Sequence, residues 1–71
     1  MSLPVIGYRD VLKALKKAGF YPTRQNGSHI ILENGQGAWT VVPRKKELGK
    51  GLILQIASEC GLTKKEFLDM L

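Results

Sequence analysis

The 71-residue sequence contains one cysteine, one histidine and no long apolar run. Cys60 therefore excludes both an internal disulfide and a cysteine-based metal cluster, and we expect it to be a buried free thiol. With a single histidine and scattered acidic residues, the sequence has no ligand set with zinc-like spacing. No stretch approaches the roughly 18 apolar residues of a membrane span, and Met1 to Ile6 lacks the features of a signal peptide. We expect a cytoplasmic protein that needs no cofactor.

Acidic residues are also few. The sequence has 11 Lys and Arg against 6 Asp and Glu, which gives a net charge of +5. Such a surface raises the local concentration of a polyanion and gains from the release of its counterions. From charge alone, a polyanionic partner and a basic protein without such a partner are equally good interpretations, because net charge reports on association and not on fold.

The length predicts one small domain over residues 1–71, near the lower size at which a core forms without disulfides or metals. Apolar residues at helical spacing predict a first helix ending near Ala18, capped by Gly19. A second apolar stripe predicts a helix that ends at Gly61 and leaves Leu54 outside its buried face. The predicted stripes are Tyr8, Val11, Leu12, Leu15 and Ala18, and then Leu52, Ile53, Ile56, Ala57 and Cys60.

Three strands are predicted between these helices, at 20–25, 28–33 and 38–43. The dipeptide Asn26-Gly27 predicts a type I′ hairpin turn, and Pro22 favours an edge position for the first strand. The spacing of Thr63 and Glu66 predicts a capped final helix, which we expect to pack through Phe67, Leu68 and Leu71. The order α-β-β-β-α with a terminal helical turn predicts an α+β fold, a three-stranded antiparallel sheet with its helices on one face.

His29 opens the second strand. Strand alternation places His29 with Ile31 on one face and Ser28 with Ile30 on the other. A lone histidine is more often structural than catalytic, but its chemistry near neutral pH is proton transfer. The 2′-hydroxyl of RNA attacks the adjacent phosphorus once it is deprotonated, and a correctly placed base is worth roughly 10²- to 10⁴-fold in rate.

Four cations follow the third strand, and they precede the free amides at the start of the second helix. They are Arg44, Lys45, Lys46 and Lys50. Helix N-termini bind phosphate, and Gly49 and Gly51 permit a close backbone approach, so we favour phosphate binding here over a solvated charge run. For the other basic stripe, Arg9, Lys13 and Lys16 on the first helix, we favour a solvated face.

Four segments of the sequence together resemble the HicA family of toxin ribonucleases, also called mRNA interferases. They are LPVIGYRDVLKALKKAGF, RQNGSHIIL, WTVVPRKKELGKG and ECGLTKKEFLDML, and they run from about Leu3 to Leu71. The most specific part is Gly27-Ser28-His29 on the second strand of a hairpin, followed by V-P at the end of the third strand and K-E-L before a glycine-led helix. The order and spacing of these fragments carry the resemblance.

The resemblance implies a fold similar to double-stranded RNA-binding domains and metal-independent cleavage of mRNA. It also implies growth arrest and neutralisation by a HicB antitoxin that covers the active site. It makes His29 the catalytic residue. Ser28 and Arg24 would shape the site, and the four cations of the loop would hold phosphate.

The sequence departs from the family pattern at two places. Many relatives carry another histidine shortly after the V-P, whereas this chain reads Val42-Pro43-Arg44-Lys45-Lys46 and is shortened there. Lys45, Lys46 or Tyr8 are the candidate substitutes for that proton donor. Relatives also tend to begin the second helix with a G-T-L-R-like sequence, whereas Gly51 is followed here by L-I-L, without the threonine and the arginine.

Two other interpretations remain open from the sequence. One is a module of the same fold that binds RNA without cutting it, because shape and 2′-hydroxyl contacts suffice for that task. The other is a protein-interaction domain that uses the open sheet face, with Leu54 and Trp39 as contacts. For Trp39, however, we expect a place in the core.

Overall fold

The computed structural model describes residues 5–71, so Leu3, where the resemblance begins, lies outside the described residues. The elements are α1 (Tyr8–Lys17), β1 (Tyr21–Asn26), β2 (His29–Glu33), β3 (Trp39–Pro43), α2 (Lys50–Glu59) and α3 (Lys64–Met70). The strands form one antiparallel sheet in the order β1-β2-β3, which confirms the predicted α+β architecture and the edge position of β1. No helix within residues 5–71 has the length and apolar character needed to cross a membrane.

The core lies on one face of the sheet, between the strands and the three helices. Ile30 and Leu32 of β2 and Val42 of β3 supply its sheet side. The helices supply buried residues at helical spacing, namely Val11, Ala14, Leu15, Ile53, Ile56, Ala57 and Phe67. Thr40 is also fully buried, and its hydroxyl donates a hydrogen bond to Glu59 Oε1 at 2.7 Å. That bond satisfies the one polar side chain among the buried residues of 5–71.

The opposite face of the sheet is open, and cross-strand pairing arranges its residues in three rows. The rows are Asn26, His29 and Pro43; then Arg24, Ile31 and Val41; then Tyr21, Glu33 and Trp39. Trp39 is 59% exposed, so the expected core position of this ring is wrong. The reason is that Trp39 shares its face with His29, whereas its neighbour Thr40 points toward the helices.

The hairpin between β1 and β2 turns one residue later than predicted. Asn26 pairs with His29, so the two-residue loop is Gly27-Ser28. Gly27 has a φ of +62°, whereas Ser28, like every described non-glycine residue, does not have a positive φ. A type II′ turn needs a positive φ only at the first loop residue, and a type I′ turn needs it at both, so the turn is of type II′. Ser28 therefore lies in the turn and not in the strand. Its carbonyl accepts a hydrogen bond from the Arg44 amide at 2.7 Å.

The predicted helix ends are confirmed. Gly19 and Gly61 follow α1 and α2 with φ angles of +87° and +73°. Thr63 and Glu66 form a reciprocal capping box at the start of α3, and hydrogen bonds from Thr63 hold the pKa of the Glu66 carboxyl below its usual value. The expected packing of Leu71 is wrong, because this last residue follows α3 and is exposed.

Candidate active site

His29 stands at the hairpin end of the open face. It is the first residue of β2, it pairs with Asn26 and Pro43 on the two flanking strands, and its side chain is exposed. The core side of the same strand begins with Ile30, so alternation alone turns the imidazole away from the apolar interior. The ring is therefore available to a ligand that approaches from solvent.

His29 lines an open depression of about 540 Å³ between β3 and α2. The strand contributes Trp39, Val41 and Pro43, while Leu52, Gln55 and Glu59 line it from α2. Ser28 and Lys45 complete the lining at the end where His29 lies. An imidazole, an ammonium group and an exposed indole thus share one concave surface.

A second open depression, of about 740 Å³, also has Ser28 in its lining. Its other residues come from the start of α1, the hairpin turn and the loop after β3, and they are Gly7, Tyr8, Arg9, Asp10, Gly27, Arg44 and Lys46. Three of them are cationic and one is acidic. Ser28, the residue before His29, therefore borders both depressions.

Tyr8 is the centre of the cationic cluster in this second depression. The Arg9 and Arg44 guanidinium carbons lie 5.8 Å and 5.6 Å from the centroid of the Tyr8 ring, within cation–π range. Arg9 Nε also donates a hydrogen bond to the phenol oxygen at 3.2 Å. Hydrogen bonding to Arg9, and to a lesser degree to Arg44, lowers the pKa of the Tyr8 phenol from its usual value.

Backbone contacts bring the start of α1 against the loop after β3. The Tyr8 amide donates to the Lys45 carbonyl at 3.0 Å, and the Leu48 amide donates to the Ile6 carbonyl at 2.8 Å. Gly7 makes this approach possible, because a Cβ atom built there would lie 2.5 Å from the Lys46 carbonyl oxygen. These contacts hold Tyr8 and Arg44 on the same side of the hairpin turn.

Comparison with known families gives a match over most of this structure. The family model described as the HicA toxin of bacterial toxin-antitoxin systems matches residues 8–62 of the 71. The chain belongs to the HicA toxin family. Membership makes it a toxin of a bacterial toxin-antitoxin system and implies an antitoxin partner. No curated protein sequence matches the chain.

In this HicA-family chain, the predicted site residues fall into two groups. His29, Ser28, Arg44, Lys45 and Lys46 line one or both of the depressions beside the hairpin turn. Arg24 and Lys50 are exposed but are not among the residues that line those two depressions. Arg24 pairs with Ile31 and so shares the face of His29, whereas Lys50 is the first residue of α2.

The sequence predicts a solvated helix face for Arg9. For Tyr8 it predicts a place in the apolar stripe of the first helix and a role as a substitute proton donor. The structure of this HicA-family chain places both beside Arg44 and Ser28. The available signal was Gly7, the small residue directly before Tyr8 and Arg9. A glycine before a helix has many uses, and only the tertiary contact with Lys46 shows which one applies here.

The thiol of this HicA-family chain is not among the groups that line the depression with His29. Cys60 is half-buried at the end of α2, and burial together with the neighbouring Glu59 charge raises the pKa of its thiol to about 11. A thiol with such a pKa carries little thiolate near neutral pH, so it is a poor nucleophile. Within residues 5–71, no group of three or more His, Cys, Asp and Glu side chains is arranged to hold a metal ion.

Proposed function

We propose that this toxin is an endoribonuclease that cleaves mRNA with His29 as the general base. The observation that carries the proposal is the exposed imidazole at the hairpin end, in a depression that also contains Lys45. Ser28 connects this depression to a second, cationic one that contains Arg9, Arg44 and Lys46. Proton transfer is the chemistry that imidazole performs near neutral pH, and RNA carries its own nucleophile next to every phosphate. The family resemblance of the Gly27-Ser28-His29 motif supports the same role.

In this reaction the imidazole takes the proton of a ribose 2′-hydroxyl. The 2′-oxygen then forms a bond to the adjacent phosphorus while the bond from phosphorus to the 5′-oxygen breaks. The products are a 2′,3′-cyclic phosphate and a 5′-hydroxyl end, once the departing oxygen has gained a proton. Lys45, which lines the same depression as His29, supplies positive charge or the proton at that oxygen.

Phosphate binding is the role we propose for the cluster on the other side of Ser28. Arg9 and Arg44 present guanidinium groups that suit phosphate oxygens, and Lys46 adds a further charge. The Tyr8 phenol accepts from Arg9 and can donate its own proton to an anion. A nucleotide chain that passes the hairpin turn would thus have one phosphate near His29 and a neighbouring one on this cluster.

A cytoplasmic location and neutralisation by a HicB-like antitoxin belong to the same proposal. An antitoxin that covers the open face would block His29, since the imidazole lies on that face. The proposal treats residues 1–71 as a single domain with one active site.

The decisive experiment compares purified parent and His29→Ala proteins on end-labelled RNA in EDTA. We expect the alanine variant to lose at least about 10²-fold in cleavage rate, because the base is missing, while its affinity for RNA stays within a few-fold. The matched control is Gln36→Ala, an exposed polar residue in the turn between β2 and β3, at the other end of the sheet. It should cleave at the parental rate.

Three results would overturn parts of this proposal. Equal cleavage by parent and His29→Ala would remove the histidine from the mechanism. Equal cleavage of RNA and of the same sequence made as DNA would remove the 2′-hydroxyl. Salt-dependent binding without any cleavage by the parent would identify the chain as a non-catalytic RNA-binding module instead.

A further inference from the structure

The depression that contains His29 also contains an exposed indole. Trp39 is 59% exposed, and it lines the same depression of about 540 Å³ as His29, Lys45 and the α2 residues Gln55 and Glu59. An indole in a soluble protein is usually buried to a high degree, and this exposed ring lies inside a depression where a ligand can reach it. The proton-transfer step described above does not use the ring.

We propose that Trp39 stacks on one unpaired nucleobase of the RNA and that this depression is a single-nucleotide binding site next to the scissile phosphate. The inference rests on the proposed function, because it names the form of RNA that the same site takes. A flat aromatic ring in the same depression as a cation and a general base suits a nucleotide, whose base stacks while its phosphate pairs with positive charge. The volume falls within the range of ordinary small-ligand sites.

Polar groups on the α2 side suit the edge of a base. Gln55 can both donate and accept, and Glu59 can accept from amino or imino groups. One carboxylate oxygen of Glu59 already accepts the hydroxyl of buried Thr40 at 2.7 Å, so its position is fixed by the core. Negative charge at Glu59 disfavours a phosphate there, and the nucleotide therefore places its base toward α2 and its phosphate toward Lys45.

The substrate class follows from the stacking contact. A base inside a duplex is stacked and paired, and it cannot lie on Trp39 without leaving the helix. Single-stranded RNA pays no such cost. We infer that the toxin binds and cuts unpaired segments of mRNA and discriminates against duplex RNA.

The test uses Trp39 as its own reporter, because it is the only tryptophan in the chain. Protein carrying His29→Ala is titrated with a single-stranded oligoribonucleotide and, separately, with the same oligonucleotide annealed to its complement. We expect quenching of Trp39 fluorescence by the single strand and much weaker quenching by the duplex. Using the His29→Ala background keeps the RNA intact, so binding is measured without cleavage.

A second arm measures affinity by fluorescence of a labelled RNA. Trp39→Ala should weaken single-strand binding by about 5- to 150-fold, the range expected for the loss of one base–aromatic stack. Trp39→Phe keeps a stacking ring and should recover most of that loss. The matched control is Tyr21→Ala, since Tyr21 is 56% exposed on the same sheet face but lies on β1 and does not line this depression.

The outcomes separate this inference from the proposed function. Quenching by single strands together with a selective loss in Trp39→Ala supports the base site, even if the parent fails to cleave RNA. No quenching at saturating RNA, or equal losses in Trp39→Ala and Tyr21→Ala, overturns it even if the parent cleaves RNA through His29. An unquenched ring would leave this surface to a protein partner.

Discussion

At the scale of single residues, the orientation of the His29, Trp39 and Arg44 side chains determines what the site can bind. His29 and Trp39 face solvent because strand alternation gives the interior to Ile30 and Thr40. Arg44 follows β3, and its guanidinium lies over the Tyr8 ring in the second depression that Ser28 borders. Each of these side chains is exposed or part-exposed, so substitutions there change chemistry and binding more than stability.

Arg44 provides the sharpest test of phosphate binding at this scale. In the His29→Ala background, Arg44→Ala should weaken single-stranded RNA binding and reduce the slope of log K against log salt by about 0.7, the value for one lost phosphate contact. The measurement is affinity at four or five salt concentrations.

Lys13→Ala is the matched control, because it removes the same charge from a different depression, between α1 and the end of α3, which Lys16 and Lys17 also line. It should leave the slope nearly unchanged. Equal slope changes in the Arg44 and Lys13 variants would show that the positive charge acts diffusely and that the Tyr8 cluster holds no phosphate.

At the scale of elements, the sequence predicted which segments form helices and strands, because periodicity and caps are local. Gly19, Gly61 and the Thr63 capping box all mark the ends that the structure shows. It failed at the hairpin by one residue. Asn26-Gly27 and Gly27-Ser28 are both good turn sequences, and only the pairing of Asn26 with His29 decides between them.

The contact between α1 and the loop after β3 could not be predicted in the same way. Its signal in the sequence is one glycine, and its effect depends on a backbone oxygen far away in the chain. Trp39 was misplaced for a related reason. Alternation states which residues share a face, but β3 carries apolar side chains on both faces, so only the position of the helices decides which one is buried.

Gly7→Ala tests whether this close contact builds the site. A methyl group 2.5 Å from the Lys46 carbonyl oxygen must push α1 and the loop apart. We expect a loss of about 1–3 kcal/mol in the free energy of unfolding, measured by urea denaturation. RNA affinity should fall too, since Tyr8 and Arg44 would no longer meet.

The control is Gly51→Ala in the first turn of α2, where an added Cβ meets nothing within 4 Å. Alanine there should raise stability by about 0.5–1 kcal/mol, because it restricts the unfolded chain more than glycine does. If Gly7→Ala is as stable as the parent, the loop after β3 moves away without cost. The close contact between Gly7 and Lys46 then does not position the Tyr8 cluster.

At the scale of the whole molecule, a small core must support an open sheet face and a net positive charge. The net charge of +5 repels itself, and one sheet face contributes nothing to the core. The buried apolar residues of 5–71 therefore pack between the other face and the three helices. The overall α+β order was predictable because two amphipathic helices can cover only one face of a three-stranded sheet.

The last helix, α3, contributes a large buried side chain to that core. The family match ends at residue 62, yet Phe67 of α3 is among the largest fully buried side chains of residues 5–71. We expect Phe67→Ala to cost about 3–5 kcal/mol, a large part of the 5–15 kcal/mol typical of a whole domain. Phe67→Leu should cost less, and Leu71→Ala, at an exposed position, should stay within about 0.5 kcal/mol. Urea denaturation measures all three. A Phe67→Ala protein as stable as the parent would show that burial of this ring does not hold α3 against the core.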